Sequence, residues 1–112
     1  DGDPLDALVV VEEPTFPGCI VPSRPIGTLL MRDEKGQDEK ILAVPVGDPR
    51  FDQVNELEDL APHWLKEIET FFATYKTLEG GTVELAGWRG ADTAWKLIEE
   101  SRVQASAAKA VR

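Results

Sequence analysis

Thr28-Leu29-Leu30-Met31-Arg32-Asp33-Glu34-Lys35-Gly36-Gln37-Asp38-Glu39-Lys40-Ile41-Leu42-Ala43-Val44 reads as two strands joined by a charged loop. Thr28 to Arg32 and Lys40 to Val44 form the arms, Asp33 to Asp38 is the loop, and Gly36 supplies the positive φ that such a loop commonly needs. Upstream, Pro22 and Pro25 separate Cys19-Ile20-Val21 from Ile26 to Met31. Proline removes a ladder donor, so two short strands are expected there instead of one long one. An apolar run at about 7 to 11 predicts a further, buried strand, and Glu12 to Gly18, with two prolines and a glycine, predicts a connection.

Downstream, Gly47 to Glu58 is polar and reads as irregular. A helix is expected from Pro62, which tolerates the first helical turn because its missing N–H needs no partner there. Ala61, Trp64, Leu65, Ile68, Phe71, Phe72 and Tyr75 recur at helical spacing, with Lys66, Glu67 and Glu69 on the other side. Glu79-Gly80-Gly81 ends that helix, Thr82 to Trp88 reads as a strand, and Ala91 to about Ala108 as a last helix anchored by Trp95 and Ile98. Strands, helix, strand, helix, without βαβ alternation, predicts an antiparallel α+β fold. The strands are too few to close a barrel, and residue 1 is Asp, not Met, so the chain reads as a piece of something longer.

At 112 residues the chain is sized for one domain. No apolar run approaches the roughly 18 residues of a membrane span, so no membrane partner is expected. The single Cys19 excludes an internal disulfide, and with no signal-peptide pattern the default compartment is the cytoplasm. A formal charge of −9 argues against nucleic acid, whose binding is driven by lysines and arginines displacing counterions.

Chemistry-bearing residues fall in three places. Asp1-Gly2-Asp3-Pro4-Leu5-Asp6-Ala7 crowds three carboxylates around a glycine and a proline. Such charges repel unless a cation or proton separates them, which makes the stretch either a metal site or a solvated acidic tail. A calcium loop is excluded: Asp1, Asp3 and Glu12 match its pattern, but Leu5 and Asp6 stand where a ligand and the turn glycine are needed. Around the hairpin, Asp38 and Lys40 lie two apart on one strand and project to one face, which suits a metal-bound phosphate or a merely solvated tip. Tyr75-Lys76 closes the long helix, with the tyrosine ring expected to pack and the lysine to complement the helix terminus. His63 reads as a surface residue, and Cys19 lacks any partner for nucleophile or metal work.

Taken together these stretches resemble the family I soluble inorganic pyrophosphatases. The resemblance rests on Asp1 to Ala7 and runs through Pro17-Gly18, Arg24-Pro25-Ile26-Gly27, Asp33 to Lys40, Ala43-Val44-Pro45, Phe71-Phe72-Ala73-Thr74-Tyr75-Lys76 and Gly87-Trp88. It implies an α+β fold with an antiparallel OB-like barrel, incomplete in this chain, and two packed helices. It also implies hydrolysis of pyrophosphate to two phosphates by Mg²⁺-assisted in-line attack of a metal-bound water, with several ions per site.

By the same resemblance, Asp1, Asp6 and Asp38 match ligands of a first metal, Asp6 bridging to a second, and Asp33 matches a further ligand. Asp3 matches the group that takes the proton of the attacking water. Lys40, Tyr75 and Lys76 match donors to the phosphate oxygens, and the bacterial members imply a homo-oligomer, a hexamer. Two departures stand out: Thr77 replaces an Asp common in the family, and the family's N-terminal strands and side chains are missing. A chain without that segment is expected to turn over little pyrophosphate, and the alternative function is a non-catalytic relative that binds divalent metal or only assembles.

Overall fold

The structure is a computed structural model that describes residues 6–10 and 20–111, with side chains described up to 103. Four strands, β1 (Asp6–Val9), β2 (Ser23–Asp33), β3 (Gly36–Pro45) and β4 (Val83–Gly90), form one open sheet in the order β1-β3-β2-β4. Helix α1 (Pro62–Leu78) precedes β4, and α2 (Ala91–Val111) follows it. The α+β class is as expected, and the described sheet is unclosed.

The sheet is mixed, not purely antiparallel, because β1 runs parallel to β3 with Asp6 opposite Lys40 and Leu8 opposite Leu42. Hairpin β2–β3 forms the centre. Its turn takes only Glu34 and Lys35, Asp33 pairs with Gly36, and Gly36 has φ 120°. That positive φ is open to glycine at little steric cost.

Two prolines were expected to divide β2, yet the strand runs through Pro25. The reason is positional: β4 pairs with β2 only from Gly27 onward, so near Pro25 the strand has a single neighbour and the missing N–H breaks no second ladder. A register shift between Pro25 and Gly27 absorbs the remaining misfit.

Paired residues project to the same face. One face therefore carries Leu29, Met31 and Leu42, and α1 lies over it through Trp64, Leu65, Ile68 and Phe72, with Val83, Leu85 and Trp88 of β4 completing the wall. Helix α2 packs against β2 and β4, and Ala94 is its buried residue among those described. Trp95, expected as an anchor, is exposed, and Ile98 is half-buried. On α1 the inward stripe is narrower than expected. Phe71 and Tyr75 are exposed, and Glu69 turns toward β4, where the Trp88 Nε1–H donates to its Oε2 at 2.8 Å.

The polar segment after β3 is not irregular. It contains two 3₁₀ turns, Pro49–Phe51 and Leu57–Asp59, that deliver Phe51, Val54, Leu57 and Leu60 into the core. Arg24 holds this segment in place by donating to the Val54 carbonyl, through Nε at 3.1 Å and Nη2 at 2.8 Å, and to the Phe51 carbonyl. Gly27 admits it: a Cβ there would lie 2.4 Å from Leu57 Cδ2. Gly27→Ala is accordingly expected to cost about 1–3 kcal/mol by overpacking, read as a lowered urea midpoint at unchanged slope. In a Leu57→Ala background, where the clashing side chain is gone, the same change should cost little further.

Candidate active site

Parity of the strands assembles the charged residues. On the α1 face, Leu29 pairs with Lys40, Met31 with Asp38 and Asp33 with Gly36, while Asp6 of β1 sits opposite Lys40. Asp6, Asp33, Asp38 and Lys40 therefore share the face that carries the core, along one end of the sheet.

Lys40 is the hub. Its Nζ donates to Asp6 Oδ2 at 2.7 Å and lies 3.1 Å from Asp38 Oδ2, so the two carboxylates converge on one ammonium group. The lysine side chain is only 17% exposed, and its Nζ lies 5.8 Å from the centroid of the Phe72 ring, within cation–π range. Burial acts to lower the Lys40 pKa, but the hydrogen bonds to Asp6 and then Asp38 outweigh it and hold the pKa above the ordinary 10.5. The expectation that Asp38 and Lys40 project together is met.

A second pair closes the helix onto the hairpin. Lys76 Nζ lies 2.8 Å from Asp33 Oδ2, and the Lys35 backbone N–H donates to Asp33 Oδ1 at 2.9 Å. The Lys76 hydrogen bond and then the Lys35 N–H hold the Asp33 pKa below its usual 3.8, and the same bond lifts Lys76 above 10.5. The Asp33 side chain is 8% exposed, against 63% for Asp6, so the cluster is sheltered at the hairpin and open at the β1 edge.

Tyr75 is not packed as expected. Its ring is half exposed and stacks on Phe71, with centroids 6.2 Å apart. Asp1 and Asp3 lie outside the described residues. Among those described, no three His, Cys, Asp or Glu side chains gather as a ready-made metal cage, and the convergent carboxylates are Asp6 and Asp38. In the sequence Phe72 reads as part of the apolar stripe and of the Phe71 to Lys76 stretch, without a role of its own at the site. Its spacing of four residues from Lys76 was the available signal, because it puts both residues on one helix face.

A family model described as inorganic pyrophosphatase matches residues 1–106 of the chain. An inorganic pyrophosphatase from Methanosarcina acetivorans is 53% identical over 102 residues, covering 91% of this chain and 61% of the relative. The chain belongs to the inorganic pyrophosphatase family. A second pyrophosphatase, from Geobacillus stearothermophilus, is 53% identical over 100 residues, 89% of this chain and 61% of its own. Among solved structures, the inorganic pyrophosphatase of Thermus thermophilus superposes with TM-score 0.80 at 42% identity, covering 90% of this chain and 58% of that one. The Helicobacter pylori pyrophosphatase gives TM-score 0.85 at 40% identity over 90% of this chain and 61% of its own. The chain thus spans about three fifths of the length of the pyrophosphatases it matches.

The Asp33–Lys76 pair predicts a pH signature. A depressed aspartate pKa contributes stability that is complete above 3.8 and lost as pH falls through the lower folded value. The raised lysine pKa contributes stability that is complete below 10.5 and lost as pH rises through the higher folded value. In metal-free buffer, the stability advantage over Asp33→Asn should be constant near neutrality and shrink on acidification below about pH 4, measured by urea unfolding.

Proposed function

We propose that the protein hydrolyses inorganic pyrophosphate to two phosphates in an Mg²⁺-dependent reaction. The observation that carries this reading is the convergence of Asp6 and Asp38 on Lys40, on the face where Asp33 meets Lys76. Carboxylates for a hard cation and ammonium groups for an anion are thereby interleaved at one end of one sheet. Pyrophosphate is a polyanion that repels a nucleophile, so its hydrolysis requires charge neutralisation around the reacting phosphorus.

The donor chemistry fits Mg²⁺. That ion takes oxygen ligands and is commonly held by one or two carboxylates, with water and phosphate oxygens filling its shell. Asp6 and Asp38, joined by Asp1, would hold a first ion, Asp6 would bridge to a second, and Asp33 would serve a further one. When bound, the metal supplies positive charge and brings the acidity of water toward neutral pH.

The chain's own side chains do the remainder. Asp3 orients the water and accepts its proton as the new P–O bond forms. Opposite the entering oxygen, the bond from that phosphorus to the bridging oxygen breaks, and the second phosphate leaves with the electron pair. Lys40, Tyr75 and Lys76 donate to phosphate oxygens and stabilise charge on the departing group. The unit proposed is one domain, residues 1–112, about three fifths of the length of the family members it matches. The reading includes a homo-oligomeric, hexameric assembly in the cytoplasm, acting on a small molecule and not on nucleic acid. Supporting the latter is the net charge of −9, and no helix among the described residues is long and apolar enough to cross a membrane.

Phosphate release from pyrophosphate in the presence of Mg²⁺, by the full-length protein, is the test. Asp3→Asn should lower kcat by about 10²–10⁴, the range of general base catalysis, and Lys40→Met should lower kcat/KM by about 10². Release no faster than that of Asp3→Asn overturns the proposal. Mg²⁺ binding without turnover would instead favour the non-catalytic relative.

A further inference from the structure

Every described carboxylate assigned to metal is occupied by a lysine assigned to phosphate. Asp6 and Asp38 are shared by Lys40 at 2.7 and 3.1 Å, and Asp33 is held by Lys76 at 2.8 Å. These contacts satisfy the acidic cluster, but they also engage the phosphate donors, whose ammonium groups are turned toward carboxylates. Lys40 and Lys76 are 17% and 19% exposed, so neither is an incidental surface contact.

We infer that the two lysines are resident counter-ions of Asp6, Asp38 and Asp33, which a divalent metal has to displace from these carboxylates. The inference rests on the pyrophosphatase reading and adds an order of events to it. Lys40 neutralises the pair of carboxylates that would otherwise repel each other across the strand edge. Asp6 and Asp38, if they held a metal ion, would be neutralised by it and would leave the Lys40 ammonium without its partners. The ammonium then becomes available to an anion, and the Phe72 face keeps it at the site in both states. Lys76 repeats the exchange on Asp33. Phe72 and Lys76 are four residues apart on α1, so one helix supports both exchanges. By linkage, whatever the metal adds to anion affinity the anion adds to metal affinity.

The exchange has a signature that neither disruption of the site nor a general change of charge imitates. Isothermal titration of the full-length protein with Mg²⁺, and separately with inorganic phosphate at saturating Mg²⁺, reads both sides. Lys40→Met and Lys76→Met should each bind Mg²⁺ about tenfold more tightly, as expected when a charge-assisted hydrogen bond no longer competes. The same variants should bind phosphate about tenfold more weakly, having lost a donor.

Lys35→Met is the control, because the Lys35 side chain acts on Asp33 through space while only its backbone contacts that carboxylate. It should change Mg²⁺ affinity less than about twofold at 0.15 M salt, where exposed charges are screened. Unchanged or weakened Mg²⁺ binding in folded Lys40→Met and Lys76→Met, with pyrophosphate hydrolysis intact in the unaltered protein, overturns the inference and leaves the proposed function standing. A Lys35→Met effect as large as the other two overturns it as well, in favour of a general field. Failure of the unaltered protein to bind Mg²⁺ at millimolar concentration overturns both.

Discussion

The register of the β2–β3 hairpin is the constraint on which the site depends. A two-residue turn at Glu34-Lys35, with Gly36 at positive φ, locks Asp33 opposite Gly36, and the pairings follow residue by residue as far as Gly27 opposite Leu42, with every second pair on the same face. A slip of β3 by one residue would send Asp38 and Lys40 to the reverse face together with Leu42, away from Asp33, Leu29 and Met31 on β2. Leu42 resists that slip, because its burial under α1 would be lost at a cost of about 1.5–3 kcal/mol. Core burial thus holds the charged residues in position, although none of them contributes to the core.

Placing such a cluster beside a hydrophobic core is tolerable only because it is nearly neutral within itself. Three carboxylates and two ammonium groups leave a single excess charge, in a chain that carries −9. The most enclosed carboxylate, Asp33, is the one with the fullest set of partners, an ammonium and a backbone N–H. The most exposed, Asp6, has one ammonium contact among the described residues. Satisfaction follows burial, as the cost of an unpaired buried charge requires.

Features set by local chemistry were readable from residue order. The hairpin, the glycine at its tip, α1 beginning at Pro62 and the common face of Asp38 and Lys40 all depend on neighbours within a few positions. What was misread depends on distant ones. Pro25 looked like a break because it normally is one, and only the absence of β4 beside it makes it harmless. Gly47 to Glu58 looked irregular because its apolar residues are sparse. Its order comes from Arg24, which binds two of its carbonyls, and from Gly27, which leaves room for Leu57. The parallel pairing of β1 likewise has no local signal, since strand direction is decided by the path of the connection.

The Tyr75-Lys76 pair shows how helix geometry divides what sequence adjacency joins. Successive residues of an α-helix point about 100° apart, so a helix that turns Lys76 down onto Asp33 cannot also bury Tyr75 beneath it. The tyrosine is left half exposed, with Phe71 as its stacking partner one turn earlier. Phe72, four residues before Lys76, goes down with the lysine and meets Lys40. The downward positions of this turn therefore hold ammonium groups against the sheet, while the lateral positions offer aromatic surface and a phenol. Under the proposed function the three donors are not equivalent: Lys40 and Lys76 must leave carboxylates before they can serve a phosphate. Tyr75 sits outside the ion-paired cluster and, among the described residues, has no carboxylate partner to give up.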